Sequence, residues 1–343
     1  MLVCMLQKAG KEGKITGLTV AKGTPSVSHL LFADDSIFYC REKDEEFQCL
    51  LSILDEYSIA SGQRINYQKS SIYFGKRILQ DRKSEIKQLT GINEEGGYSF
   101  YLGLPEAFGG SKITILGYLK ERLQQKFSGW QANFLSSGGK EILLKAVAMA
   151  LPTYTMSCFM LPKAVCQQLA SLMADFWWRN KRDSRGMHWK AWDQLSKQKN
   201  EGGLGFKGIE TFNIALLGKQ LWRMITCPST MMARVFRSRY FSKTDPLQAK
   251  LGSRPSYAWR SIFAAQELIK KGARMVIGDG KSTDIWQTQW LHSKSARSLQ
   301  QVRQIPQHLR SNVSSLTKVN DLLRDNGREW RRDILGEIFL EEV

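Results

Sequence analysis

Two adjacent carboxylates, Asp34 and Asp35, are the residues of this chain best suited to chemistry. They sit inside His29-Leu30-Leu31-Phe32-Ala33-Asp34-Asp35-Ser36-Ile37-Phe38-Tyr39-Cys40. Strand-forming apolar residues flank them on both sides, which predicts a β-hairpin carrying an acidic pair at its tip. Carboxylates at a tight turn concentrate oxygen ligands for a hard divalent cation. Their repulsion is costly unless a cation or strong hydrogen bonds offset it. A plain exposed turn suits the same residues, because Asp side chains bond nearby backbone amides.

The elements that must hold this hairpin are legible around it. Residues 44–60 carry Phe47, Leu50, Leu51, Leu54 and Tyr57 at helical spacing, with Asp44, Glu45 and Glu46 at the positive end and Gly62 placed to stop the helix. Residues 64–67 and 70–74 read as extended, 81–89 as a helix, and 98–104 as a strand ended by Pro105. Hairpin, helix and strands make an α+β arrangement with the helix packed on one sheet face. From residue 111 the pattern turns helical, over 112–127, 140–151, a helix opened by Pro162 that runs to about 178, 209–226 and 256–271. The tail shows weaker helical signals at 319–324 and 329–340. The expected division is 1–108, 109–200, 201–292 and a tail 293–343 of unknown role.

The chain has 343 residues, enough for two domains with cores, and a formal net charge of +18. Residues 1–100 hold 13 basic and 13 acidic side chains, residues 101–300 hold 30 and 12, and residues 301–343 hold 7 and 7. The whole surplus therefore lies away from the acidic pair, in the helical region. A field of that sign points to a polyanion partner, although solubility and solvated helix faces use basic residues too. All ten tryptophans lie at or beyond Trp130. Trp177-Trp178 and Trp189/Trp192 suit base stacking or, more commonly, a core. Between them Arg179, Lys181, Arg182, Arg185 and Lys190 form a basic connection suited to nucleic-acid backbone contact.

Other classes lose support. No run of about 18 apolar residues exists, so a membrane span is not expected. The start, with Lys8, Lys11 and Lys14 after a short apolar stretch, lacks a signal-peptide pattern. Six cysteines without a Cys-x-x-Cys pair suit a reducing compartment and support neither a disulfide framework nor a zinc site.

The acidic stretch resembles motif C of reverse transcriptases, whose Phe/Tyr-x-Asp-Asp holds catalytic magnesium. The chain downstream of it resembles the plant LINE-type (non-LTR) retrotransposon version of that enzyme. Gly62-Gln63-Arg64-Ile65-Asn66-Tyr67-Gln68-Lys69-Ser70 is similar to the segment after the motif C helix. Tyr101-Leu102-Gly103-Leu104-Pro105 is similar to the strand that grips the primer end. Phe127-Ser128-Gly129-Trp130, Leu151-Pro152-Thr153-Tyr154, Phe176-Trp177-Trp178, Gly202-Gly203-Leu204-Gly205-Phe206, Ile277-Gly278-Asp279-Gly280 and Asp284-Ile285-Trp286 match the downstream part. The resemblance spans about residues 10–291 and implies a partial polymerase palm, then a mainly α-helical thumb and connector.

By that resemblance the chemistry is two-metal nucleotidyl transfer with Mg2+, with Asp34 a metal ligand and Asp35 a supporting carboxylate. Lys69 would lie near the nucleotide phosphates, Tyr101, Leu102 and Gly103 would position the primer end, and RNA and DNA would be the partners. An exposed surface lysine is an equally good reading of Lys69. The family's first catalytic aspartate and its fingers precede motif C, whereas the 33 residues before Asp34 contain one acid, Glu12. The expectation is a C-terminal palm, thumb and connector fragment, inactive alone unless a fingers-containing polymerase chain completes it. A non-catalytic nucleic-acid-binding module and a retroelement relic without a retained role are the alternatives. The nucleus, or else a DNA-containing organelle, is the expected compartment.

Overall fold

The hairpin around the acidic pair forms: β1 (His29–Phe32) runs antiparallel to β2 (Asp35–Phe38) and pairs Phe32 with Asp35. The computed structural model describes residues 1–97, 100–129, 135–179, 186–273, 276–285, 316–324 and 329–338. The chain divides into two compact units, Met1–Ile269 and Lys270–Val343.

In the first unit, α1 (Leu2–Lys11) and α2 (Asp44–Ser61) pack against each other beside the hairpin. Leu6, Ala9 and Ile15 are buried there, with Phe38 of β2 and Cys49, Leu50 and Ile53 of α2 packed on them. The helix expected at 44–60 thus forms with its three acids in the first turn, and Gly62 closes it in the left-handed conformation. The hairpin leaves much of its apolar surface bare, with Phe32 62% exposed.

Glu46 ties this module together. Its carboxylate accepts from the Thr16 hydroxyl at 2.6 Å, the Thr16 amide at 3.1 Å and the Arg41 amide at 3.1 Å. Burial pushes the Glu46 carboxyl up, but these hydrogen bonds outweigh it and leave the group below its ordinary value. A carboxyl depressed on folding contributes stability above its unfolded value and loses it as pH falls through the folded one. Acidification through the carboxylate range is therefore expected to loosen the N-terminal module first. Glu46→Gln should be less stable than the parent at pH 7 and should lose less on acidification. Urea unfolding at pH 7 and pH 4 checks this, and an equal loss in both proteins contradicts it.

Next come α3 (Gln80–Thr90) and a small hairpin of β3 (Phe100–Tyr101) with β4 (Leu104–Pro105). The two hairpins are separate two-stranded sheets. The single strand expected over 98–104 is corrected in its described part: Leu102 and Gly103 make a turn, and Pro105 pairs in β4 instead of ending a strand. Residues 67–69, partly read as extended, form one 3-10 turn.

The helical region holds α4 (Lys112–Ile115), α5 (Tyr118–Ser128), α6 (Ser137–Leu143), α7 (Thr153–Cys158), α8 (Lys163–Trp178), α9 (Trp192–Leu195), α10 (Ile209–Thr226), α11 (Met231–Tyr240), α12 (Tyr257–Phe263) and α13 (Gln266–Gly272), the last ending just past the unit boundary. Three expected long helices are shorter or broken. Residues 112–127 split at Leu116-Gly117, 256–271 split at Ala264-Ala265, and the 140–151 helix widens into a π turn over Leu144–Ala148. Helix α10 matches its expectation. Its buried Ile209, Asn213, Leu217, Leu221 and Met224 form one stripe, and it packs against α7, α8, α11 and α12.

Two cores fill this region. One joins α5, α8 and α9 around Leu119, Leu123, Leu169, Met173, Phe176 and Phe206. The other joins α10, α11 and α12 around Trp259, which is fully buried. The core reading holds for Trp192 and Trp259, whereas Trp189 is 76% exposed. The Gly202-Gly203-Leu204-Gly205-Phe206 stretch is built into the first core. A Cβ on Gly203 would meet the Lys197 carbonyl oxygen at 2.1 Å, so only glycine fits. Phe206 stacks on Trp192 at 4.9 Å, and Lys145 from the π turn donates to the Leu204 carbonyl at 2.8 Å.

The second unit closes on Ile285, Val319 and Leu322, with Ile277, Leu316, Ile334 and Leu335 packed around them. Backbone bonds from Ile285 to Thr317 (2.9 Å) and from Val319 to Thr283 (2.9 Å) join its segments. The tail helices expected at 319–324 and 329–340 shrink, in the described residues, to a 3-10 turn over Val319–Leu322 and α14 (Arg332–Ile338). The architecture is mixed α+β and mostly helical, as expected. Among the described residues no helix is long and apolar enough to cross a membrane.

Candidate functional site

The acidic pair is divided by the hairpin geometry. Asp34 lies in the two-residue loop after Ala33, whose φ of 51° is left-handed, and Asp35 is the first residue of β2. An alanine there is strained by about 1–2 kcal/mol, a cost seen most at functional turns. Both carboxylates are exposed. Among the described residues no group of three or more His, Cys, Asp or Glu side chains is placed to hold a metal ion. Two carboxylates suit one Mg2+, which ordinarily completes its shell with water and substrate phosphates. A second ion would need a further ligand outside this set.

The other hairpin approaches the pair. Tyr101 ends β3, followed by Leu102 at φ 48° and Gly103 at φ 75°, a loop with two left-handed residues. Burial and then the negative charge of Asp35 raise the Tyr101 phenol above its ordinary value. Burial and Tyr101 do the same to Tyr39, next to the end of β2. The structure thus brings Tyr101 to Asp35. Lys69 stays apart: it is exposed, its backbone amide donates to Asn66 Oδ1 at 3.2 Å, and no ion pair links it to Asp34 or Asp35.

In the basic connection Arg179 caps the C-terminus of α8, where the Lys140 amine donates to its carbonyl oxygen and, at 3.4 Å, to that of Trp177. Burial and then the charge of Arg179 lower the Lys140 amine from its ordinary value. Lys181, Arg182 and Arg185 lie outside the described residues. Beyond them Met187, Trp189 and Lys190 are exposed, and His188 Nε2 is 3.1 Å from Asp175 Oδ1. An exposed indole beside lysine and arginine can stack on a base while the cations meet phosphate.

A third group is not legible from residue types. Tyr118 of α5 bonds Thr155 of α7 at 2.7 Å between hydroxyls, meets Phe100 of β3 edge-on at 4.9 Å, and carries the Arg122 guanidinium 5.2 Å above its ring. Tyr154, in the Leu-Pro-Thr-Tyr stretch, enters the sequence reading only as part of a motif. Its exposure beside a buried Thr155 is the signal that singles it out, and no pattern of residue types supplies it. Among the thiols, burial pushes Cys40 and Cys166 up to about 11, which leaves them poor nucleophiles.

No family model matches the chain. It is 46% identical over 144 residues to the "Uncharacterized mitochondrial protein AtMg00310" of Arabidopsis thaliana, covering 42% of this chain and 94% of that protein. It is 28% identical over 181 residues to the "Putative ribonuclease H protein At1g65750" of the same plant, covering 52% of this chain and 29% of that protein.

Proposed function

We propose that this chain, which belongs to the same family as the uncharacterized mitochondrial protein AtMg00310 of Arabidopsis thaliana, derives from a retroelement and is the palm-hairpin, thumb and connector part of a LINE-type reverse transcriptase. The observation that carries the reading is the approach of Tyr101 to Asp35, which joins the expected primer-gripping and metal-holding segments from two separate hairpins. The ordered motifs and the likeness to a protein named as a putative ribonuclease H support the same setting.

In this reading Asp34 would hold Mg2+ with Asp35 in support, and the ion would supply charge neutralisation at the transferring phosphoryl group. Tyr101, Leu102 and Gly103 would seat the primer end, and Arg179, Lys181, Arg182, Arg185 and Lys190 would follow the backbone of an RNA–DNA primer–template. Lys69 would act only if nucleotide binding brings phosphates to it. Polymerisation by the chain alone is not proposed, because two exposed carboxylates anchor one ion at most; a fingers-containing chain would have to complete the site. The nucleus is the proposed place of work, and the name of the mitochondrial relative supports a DNA-containing organelle as the alternative.

A second reading, a nucleic-acid-binding module without catalysis, is favoured by the lack of a third metal-ligating side chain beside the pair among the described residues. Both readings require salt-sensitive binding. Titration of the purified chain against a labelled RNA–DNA primer–template should show affinity falling linearly on a log–log salt plot. With about six phosphate contacts the loss between 50 and 200 mM salt is about a thousandfold. A folded sample that fails to bind at low salt overturns both and leaves a relic without a retained role.

A further inference from the structure

Tyr154 stands out on α7. Its neighbours Thr155 and Met156 are 3% and 1% exposed, yet Tyr154 itself is 50% exposed, and its phenol has no hydrogen-bond partner among the described residues. Its backbone is held by the Tyr118–Thr155 hydroxyl bond of 2.7 Å, and Tyr118 in turn meets Phe100, the neighbour of Tyr101, at 4.9 Å. Arg122, exposed on α5, lies over the Tyr118 ring. After burial and Cys158, the Tyr154 phenol is raised by Tyr101 and Tyr118, so it belongs to the group that reaches Asp35.

A ring that is half exposed on a rigid helix loses little entropy when a base stacks on it. A guanidinium is the side chain best shaped for a phosphate oxygen pair. Carboxylates alone would repel a nucleic-acid strand, so a strand end brought to the hairpin needs a cation and a platform on the same side.

We propose that Tyr154 and Arg122 form a docking surface for the 3′-terminal nucleotides of a strand led to the acidic hairpin, with Tyr154 stacking on a base and Arg122 meeting a backbone phosphate. This deepens the nucleic-acid reading above and rests on it. Neither residue is a catalytic one; both act by holding the strand.

The test uses the full chain and an RNA–DNA primer–template whose primer ends in 5-iodouracil, irradiated in the long ultraviolet and mapped by tryptic peptides. The expected crosslink falls on the Ala146–Lys163 peptide, at Tyr154. Tyr154→Ala should weaken binding about tenfold without changing the salt slope, Tyr154→Phe should retain most of the affinity, and Arg122→Gln should lower the slope by about one. Crosslinks found only elsewhere, such as at Trp189, or a Tyr154→Ala chain that binds like the parent, overturn this inference and leave the nucleic-acid reading standing. No binding by the folded parent overturns both. Should Tyr154→Ala fail to fold, the parent crosslink and Tyr154→Phe still decide.

Discussion

Asn213→Leu is expected to lower the unfolding midpoint of the helical region by about 10 °C. Asn213 is 1% exposed on α10, and every polar atom of its side chain is used. Oδ1 accepts from the Leu161 amide at 2.7 Å, and Nδ2 donates to the Met156 carbonyl at 2.7 Å and the Phe159 carbonyl at 3.0 Å. Those three backbone groups belong to the end of α7 and the link into α8, where no helical partner reaches them. Leucine preserves the volume and strands all three in the core. A buried polar group without a partner costs about 1–3 kcal/mol, so a total loss of about 4 kcal/mol is expected, among the larger effects of single substitutions. Asn213→Asp keeps the shape but sets an anionic oxygen against two carbonyls. Its carboxyl would be raised in the folded state, so its defect should shrink as pH falls through the folded value, when the acid can donate a hydrogen bond. Thermal unfolding followed by circular dichroism decides, and a leucine variant within about 2 °C of the parent would mean that water satisfies the three groups.

Trp259→Ala should cost about 3–5 kcal/mol, the range for removing a buried aromatic ring. Trp259 is 0% exposed and is the hub of the second core. Tyr240 stacks on it at 5.0 Å and 6°, and Phe241, Phe236 and Phe263 lie at 5.5, 5.9 and 6.0 Å. These rings come from α11, from α12 and from Phe241 just after α11, so one cavity loosens every helix that packs beside α10. Trp259→Phe should recover more than half of the loss, because the indole nitrogen has no hydrogen-bond partner to forfeit. Trp189→Ala is the matched control: it removes the same side chain from the surface and should change stability by less than about 0.5 kcal/mol while weakening nucleic-acid binding. Urea midpoints of the three variants test the contrast, and an equal effect at positions 259 and 189 would contradict the packing described.

Rigidity links this packing to function. Asn213 joins α7 to α10, and α7 carries Tyr154; if the tie is cut, the aromatic surface beside the acidic hairpin loses its fixed support. Precise placement of binding side chains depends on such supporting bonds.

Residue types alone determined the local elements. The hairpin at 29–38, the helix after Asp44 with its left-handed Gly62, and α10 over Ile209–Thr226 follow from alternation, helical spacing and cap chemistry, all of which act within a few residues. The separation of balanced and basic regions, and the α+β character with a mainly helical remainder, were legible for the same reason. Tertiary structure decided what depends on partners far along the chain. Periodicity cannot show that the 140–151 helix widens at Leu144–Ala148, where Lys145 reaches Leu204, nor that Leu102 and Gly103 turn back to pair Tyr101 with Leu104. Burial divided the tryptophans, placing Trp259 in a core and Trp189 in solvent although both are the same residue in a helical region. The meeting of Tyr101 with Asp35, and of Tyr118 with Thr155, was likewise settled only by folding. Hydrogen bonds, ring contacts and charge act over a few ångströms of space, and a chain does not disclose which distant residues share that space until it has packed.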